Sequence, residues 1–160
     1  MDLAAIRDVN LAAFPEAAEA DLVEALRSGG KATISLVAVE AGRVVGHILF
    51  SPVTMDINDE KDPVLGLGPM AVLPGSQGQG VGSLLVTTGL DHCRDAGVGC
   101  VVVLGHPDFY PRFGFRPARQ FGIGSEYDVA DKYFMVAELA RGALGRVSGT
   151  ARYEPEFAGV

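Results

Sequence analysis

The chain has 160 residues, of which 48% are hydrophobic and 21% charged, and its formal net charge is -7. This length suits one domain with a sizeable core, and the hydrophobic content excludes a disordered chain. The acidic balance argues against a nucleic-acid-binding surface, which requires clustered Lys and Arg. The two cysteines are too few for a disulfide framework and fit a reducing compartment, so we expect a cytoplasmic protein.

The pattern of apolar residues predicts helices and strands that belong to a single α/β domain over residues 1–160. The two-residue spacer Ala41-Gly42 predicts that the first two strands form an antiparallel hairpin. The last apolar run before His106 is expected to be a buried strand, parallel to the strand before the long helix. In chain order we predict helices over 2–14 and 16–28, strands over 33–40, 43–53 and 65–73, a helix over 79–96, a strand over 99–104, a helical turn over 107–112, a strand over 132–139 and a small terminal pair over 144–153.

Residues 63–90 contain no Asp, Glu, Lys, Arg or His. A transmembrane span is excluded, because the loop of mostly Gly and Gln over residues 75–82 would leave backbone polar groups unsatisfied in lipid. The stretch instead predicts a strand, a glycine loop and a helix. No Ser, Thr, Asp or Asn immediately precedes this helix, so its first N–H groups need another acceptor. An anion such as a pyrophosphate is a suitable one.

Two better-known phosphate loops fit this stretch less well. A P-loop requires Lys followed by Ser or Thr after its last Gly, whereas no Lys lies between Lys61 and Lys132. A dinucleotide fingerprint requires its third Gly one position after Gly82 and an acidic residue at the end of the next strand, which ends instead at Leu104-Gly105-His106. A tight turn packed with small residues does not require three glycines at alternate positions.

Two motifs resemble the GNAT family of N-acetyltransferases. Gln77-Gly78-Gln79-Gly80-Val81-Gly82 resembles the family's Q/R-x-x-G-x-G/A signature, and Met70-Ala71-Val72-Leu73-Pro74 is similar to the strand before it. Further along, Tyr110-Pro111-Arg112-Phe113-Gly114-Phe115 is similar to the family's Y-x-x-x-G-F segment, in particular to a branch with a YxRFGF-type run. The resemblance covers nearly the whole chain, and the two motifs with a strand between them are together specific.

The resemblance implies a GNAT-like α/β fold with a mixed, mostly antiparallel sheet and a splayed pair of parallel strands flanked by helices. It implies acetyl-CoA as co-substrate, no metal, and direct attack of a primary amine of a small molecule or peptide on the thioester. Tyr110 would protonate the leaving thiolate. The residues implied to bind CoA through their backbone are Met70, Ala71 and Val72 along the pantetheine, and Gln77, Gly78, Gln79, Gly80, Val81, Gly82 and Ser83 at the pyrophosphate.

Three features depart from the family's pattern. The chain begins directly at a helix, so the family's first strand is predicted to be absent. Gln77 and Gln79 are neutral where many members have a cation, and Arg112 is the predicted substitute. The third strand has no Asp, Glu or His that could deprotonate the amine, which leaves His106 as the better candidate base and His47 as the second.

Other functions stay open at the level of sequence. A regulatory module that binds CoA without turnover fits the missing base, and O-acylation or transfer of a longer acyl chain fits the same loop. No metal site is expected, because His47, His92 and His106 lack ligand spacing. No membrane or nucleic-acid partner is expected, and homodimer formation is left open.

Overall fold

The computed structural model describes residues 2–160, which divide into two compact units. The first unit contains the described residues up to Ser51 together with Gly68–Gly89 and Pro155–Val160, and the second contains Pro52–Leu67 and Leu90–Glu154. Three elements contribute residues to both units, namely strand β2 (Arg43–Thr54), strand β3 (Val64–Val72) and helix α3 (Val81–Asp95). That residues 1–160 fold as one domain stays a prediction.

The first unit begins with the two predicted amphipathic helices, α1 (Leu3–Ala13) and α2 (Ala18–Ser28). Asp2 caps α1, because its carboxylate accepts a hydrogen bond from the Ala5 N–H at 3.0 Å. The apolar faces of both helices pack on β2 in one core cluster, formed by Ile6, Leu22, Val23, Leu26 and Leu49. Burial of these faces, and not helix propensity alone, stabilises such short helices.

The predicted hairpin is confirmed as β1 (Ile34–Glu40) paired antiparallel with β2. Its turn residues Ala41 and Gly42 have φ angles of 50° and 78°, the two left-handed residues of a type I′ turn. Strand β2 is covered on both faces. Leu49 belongs to the core cluster with α1 and α2, whereas the Phe50 ring packs against Gly89 of α3. The contact with Gly89 is so close that a Cβ on that residue would be 2.5 Å from the ring. Cover on both faces explains why nearly all of β2 is buried.

The second unit contains the predicted parallel pair. Strand β4 (Cys100–Leu104) lies parallel to Val64–Leu67 of β3 and antiparallel to β7 (Phe134–Glu138). Strand β7 also pairs with the short β5 (Arg116–Pro117). The α/β class with mixed, mostly antiparallel pairing is therefore confirmed.

Strand β8 (Gly149–Tyr153) shows that the predicted terminal pair over residues 144–153 is wrong. Residues Ala143–Arg146 form a 3-10 helix, and β8 pairs with the end of β2 and with β6 (Ile123–Ser125). The partners of β8 are distant in sequence, so no local turn signal identifies them. Strand β6 has only three residues, too few for a recognisable alternation.

Two helical boundaries also differ from the predictions. Helix α3 begins at Val81 and not at Gln79, because Gly78 and Gly80 adopt left-handed φ angles that a helix excludes. The predicted turn over residues 107–112 is a 3-10 helix at Tyr110–Phe113, which Gly114 ends in a left-handed conformation. None of the helices described for residues 2–160 combines the length and the apolar composition that a bilayer crossing requires.

Candidate functional site

The glycine loop joins β3 to α3 and lies wholly within the first unit. It starts with the 3-10 turn Pro74–Ser76 and continues through Gly78 and Gly80, with φ angles of 75° and 85°. Apart from the glycine itself and its two chain neighbours, no residue has a heavy atom within 4 Å of the place that a Cβ would take at Gly78 or Gly80. The glycines are therefore required by backbone conformation and not by crowding, and such alternation can turn successive N–H groups toward one concave side.

The N–H groups of this loop are available to a ligand. Between Gly78 and Ser83, no backbone N–H donates to an acceptor within residues 2–160. The next N–H, that of Leu84, donates to the Gly80 carbonyl at 3.0 Å and is an ordinary helical bond. The N-terminus of a helix also carries a partial positive charge. Together these features suit a bound anion.

The two loop glutamines stabilise the loop through their side chains. The Gln77 amide donates to the Val72 carbonyl at 3.0 Å, and the Gln79 amide donates to the Gly75 carbonyl at 3.2 Å. The Leu73 N–H donates to the Val45 carbonyl at 2.8 Å and fixes the start of the loop to β2. The Gln77 backbone N–H also donates, to the Pro74 carbonyl at 3.4 Å, whereas the Gln79 backbone N–H has no acceptor within residues 2–160. Of the two glutamines, therefore, only Gln79 offers a ligand its backbone N–H.

The segment predicted to follow the pantetheine is the end of β3. Gly68 has a φ of 139°, a positive value that a regular strand does not use, so the backbone departs from a regular strand shortly before Met70. Ala71 is buried, whereas Met70 and Val72 are half-buried. The Val72 carbonyl already accepts a hydrogen bond from the Gln77 amide. A carbonyl oxygen has two lone pairs, so a ligand donor would have to use the other one.

Tyr110 lies in the second unit, at the start of the 3-10 helix after β4. Its ring is 8% exposed and meets Phe109 and Phe115 edge-on, with centroid distances of 5.0 and 5.6 Å. Burial raises the pKa of Tyr110 to about 12, so the hydroxyl keeps its proton at neutral pH and can donate it. The sequence analysis did not identify Gly105 as part of this site. A Cβ at Gly105 would overlap the Tyr110 ring, so the ring can occupy its place only beside a glycine. The one hint in the sequence is that a Gly directly follows a buried strand.

His106 and Arg112 belong to the same turn as Tyr110. The His106 carbonyl accepts the N–H groups of Phe109 and Tyr110 at 3.1 and 3.3 Å, and its side chain is exposed. The Arg112 guanidinium lies 4.9 Å from the Phe109 ring centroid and donates to the Asp108 carbonyl at 3.4 Å. Both side chains are on the surface, and their predicted roles as base and phosphate ligand stay predictions.

His47 is not available as a base, so the second candidate is wrong. Its ring is fully buried, with Nε2 2.9 Å from the Ser35 hydroxyl and Nδ1 3.5 Å from the Asn10 amide nitrogen. Burial, and secondarily the positive charge of Arg27, lowers the pKa of His47 to about 4, so the ring is neutral. Elsewhere in the described part of the chain, no three His, Cys, Asp or Glu side chains are grouped as metal ligands.

The sequence model described as "Acetyltransferase (GNAT) domain" matches residues 2–118 of this chain. The uncharacterized N-acetyltransferase YhbS of Escherichia coli K12 is 39% identical over 145 residues, which are 90% of this chain and 86% of YhbS. The uncharacterized N-acetyltransferase YjhQ of the same strain is 40% identical over 135 residues, which are 82% of this chain and 75% of YjhQ.

Two crystal structures are similar to this chain over 98% of its length, each at 36% identity. One is YhbS from Escherichia coli in complex with CoA, with a TM-score of 0.92 over 86% of that chain. The other is a GNAT family acetyltransferase from Brucella melitensis in complex with acetyl-CoA, with a TM-score of 0.79 over 92% of that chain. The chain therefore belongs to the GNAT family of N-acetyltransferases, as its two motifs predicted.

Proposed function

We propose that this protein transfers an acetyl group from acetyl-CoA to a primary amine of a small molecule or a peptide. The observation that carries the proposal is the row of available N–H groups from Gly78 to Ser83 at the start of α3. Such a row suits a pyrophosphate, the anionic group in the middle of the CoA molecule. The CoA and acetyl-CoA complexes of the two similar structures support this choice of ligand.

Acetyl-CoA binding would use mostly backbone groups. The pyrophosphate oxygens take the N–H groups of the loop, and the helix dipole adds to the attraction. The pantetheine amides bond to the backbone of Met70, Ala71 and Val72 in the manner of an added strand. Since the glutamine amides already stabilise the loop, the site exists before the ligand arrives and little ordering entropy is lost on binding.

The proposed reaction is a direct displacement at the thioester carbonyl. The neutral amine attacks the carbonyl carbon, a C–N bond forms, and the negative oxygen is stabilised by a backbone N–H. The C–S bond then breaks and the electron pair leaves on sulfur. Tyr110 gives its proton to that sulfur, and His106 accepts the proton that the amine loses.

Two measurements test the proposal. Acetyl-CoA should raise the melting temperature, because a ligand at a hundredfold excess over its Kd stabilises the native state by about 2.7 kcal/mol. A panel of primary amines, assayed for free CoA thiol, should then identify acceptors that give turnover. The absence of any melting shift at millimolar acetyl-CoA contradicts the proposal, and binding without thiol release from any amine favours the regulatory module.

A further inference from the structure

A small pocket of about 190 Å³ lies in the second unit, beside β6 and the first residue of β7. Two charged side chains line it, and the rest of its wall is largely apolar and aromatic. These lining residues are Arg119 and Asp131, and then Ile123, Tyr127, Val129 and Phe134. The volume is below the range of about 300–1,000 Å³ that whole small-molecule ligands occupy, so the pocket has room for one part of a ligand.

The pocket lies at the end of the sheet that carries Tyr110. Its wall residue Phe134 pairs with Leu104, the last residue of β4. The next residue, Gly105, has the Tyr110 ring directly against it, and its N–H donates to the Tyr133 carbonyl at 2.9 Å. The start of β7 is thereby fixed next to the Tyr110 turn. A ligand in this pocket is close to the predicted proton donor.

An aromatic wall connects the pocket to the parallel strands β3 and β4. The Tyr127 ring, which lines the pocket, packs on the Tyr153 ring with a centroid distance of 5.9 Å. The Tyr153 ring in turn lies on Gly66 of β3, where a Cβ would be 2.5 Å from it. Burial, and secondarily the charges of neighbours that include Tyr110, raises the pKa of Tyr153. The wall therefore leads from the pocket toward the parallel pair and Tyr110.

The charged pair of the pocket has donors to spare. The Arg119 guanidinium donates to the Asp131 carboxylate at 2.7 Å, and the two side chains are 70% and 62% exposed. In the described chain, Asp131 is the only acceptor that this guanidinium has. A guanidinium carries five N–H donors in a planar fork, so most of them are open to a ligand. A carboxylate is a suitable ligand, because it can accept two parallel hydrogen bonds from that fork.

We propose that this pocket binds the acceptor, and that the acceptor is a free α-amino acid with an aromatic or large apolar side chain. The inference rests on the proposed function, since it names the amine that receives the acetyl group. The carboxylate of the amino acid binds Arg119, and its side chain lies between Tyr127 and Phe134. Its amine then points along the aromatic wall. Acetylation of that amine makes and breaks the same bonds as the proposed reaction, with CoA thiol as the second product.

The test measures kcat/KM of thiol release with L-phenylalanine and with L-phenylalaninamide, which has the same shape but no carboxylate. In Arg119→Gln, kcat/KM for phenylalanine should fall about tenfold or more, as the loss of a hydrogen bond between charged groups predicts. The value for phenylalaninamide should stay unchanged. Each acceptor is compared with itself, so the different basicities of the two amines cancel. Arg141→Gln, an equal change of charge at an exposed arginine of the same unit, should affect neither acceptor.

A second variant tests the apolar part of the pocket. Gly124 also lines it, and apart from the adjacent residues no heavy atom lies within 4 Å of the place that a Cβ would take there. Gly124→Val therefore has room in the ligand-free protein and reduces the space for a ligand. Its kcat/KM for phenylalanine should fall, whereas that for glycine, which has the same carboxylate but no side chain, should persist.

The outcomes separate this inference from the proposed function. Equal losses for phenylalanine and phenylalaninamide in Arg119→Gln, or no loss for either, overturn the amino acid site and leave the acetyltransferase activity intact. Turnover of other primary amines, with none of phenylalanine or leucine, overturns it as well. If acetyl-CoA binds but no amine releases thiol, the proposed function fails together with the site. The melting temperature of each variant shows that it is folded, and Arg119→Lys should restore part of the activity because it keeps the charge.

Discussion

At the scale of single residues, the buried His47 ring lies in a chain of polar groups within the first unit. The Asn10 amide nitrogen donates to the Ile6 carbonyl at 3.0 Å and faces His47 Nδ1. His47 Nδ1 is therefore the acceptor, and Nε2 carries the hydrogen that it donates to Ser35. The Ser35 hydroxyl also accepts a hydrogen bond from Arg27 at 2.8 Å. This chain holds α1, α2 and the hairpin together and requires a neutral imidazole.

The His47 chain predicts a loss of stability in mild acid. The pKa of His47 is about 4 in the folded state against 6.5 for the free side chain, so the unfolded chain binds the proton first as pH falls. The penalty is absent above pH 7 and grows toward pH 4. Between pH 7 and pH 5 it should cost up to about 2 kcal/mol of unfolding free energy. Urea unfolding at both pH values measures it.

Two variants make the His47 measurement specific. His47→Gln removes the titrating group, so its unfolding free energy should vary less with pH than that of the parent. His92→Gln alters an exposed histidine of α3 and should keep the parent's pH dependence. Equal pH slopes for the parent and His47→Gln would show that protonation of His47 is not coupled to unfolding.

Tyr110 carries the second prediction at this scale. Tyr110→Phe should keep CoA affinity within about twofold and lower kcat by about 10²-fold or more, the loss expected when a general acid is removed. The phenyl ring fills the same space against Phe109 and Phe115, so the turn should persist. Thiol release measures kcat, and calorimetry measures affinity. Full turnover in Tyr110→Phe would exclude the hydroxyl as the proton donor.

At the scale of elements, the connection from β3 to α3 is the proposed site of CoA binding. Its two left-handed glycines precede a first helical turn whose N–H groups have no acceptor within residues 2–160. Its glutamine amides donate to the carbonyls of Val72, at the end of β3, and of Gly75. Side-chain charge is absent from this connection. We therefore expect its CoA affinity to depend on backbone conformation and only weakly on the identity of the glutamines.

Three substitutions in this loop test that expectation. Gly80→Val places a β-branched residue at a φ of 85°, which costs about 1–2 kcal/mol of strain, and it should abolish detectable CoA binding. Gln77→Ala should weaken CoA binding only a few-fold, because it removes the hydrogen bond to the Val72 carbonyl but leaves the backbone N–H groups from Gly78 to Ser83. Gly75→Ala is the matched control, since a Cβ there meets open space without a left-handed φ. Calorimetry measures the CoA affinity of each variant. An unchanged affinity in Gly80→Val would show that the loop is only a turn and does not bind CoA.

At the scale of the whole molecule, each unit can be followed by its own spectroscopic signal. The chain has no Trp and four Tyr, and all four Tyr lie in the second unit. Helices α1 and α2 lie in the first unit and contribute much of the helical circular dichroism. Tyrosine fluorescence and far-ultraviolet circular dichroism therefore report on different units.

These two signals test the expectation that residues 1–160 form one domain. Because β2, β3 and α3 each have residues in both units, we expect one cooperative transition. The two probes should then give the same urea midpoint, as two-state unfolding requires. Midpoints that differ beyond error would show that the units unfold separately. Saturating acetyl-CoA should move both midpoints upward together.

The sequence by itself determined the helices α1 to α3, the hairpin, the parallel pair and the glycine loop. Each of these follows from local physics: apolar spacing, turn residues with positive φ, and glycines at alternate positions before a helix. The family could be identified for the same reason, since Gln77–Gly82 and Tyr110–Phe115 are contiguous motifs. These features depend on neighbours that are close in the chain.

Only the tertiary structure decided which side chains are buried and what they bond. His47 was a candidate base because the sequence of β2 does not show that both faces of the strand are covered. The partners of β8, the targets of the glutamine amides and the contact of Tyr153 with Gly66 also depend on contacts between distant segments. Such contacts are chosen by the packing of whole elements, and no local pattern encodes them.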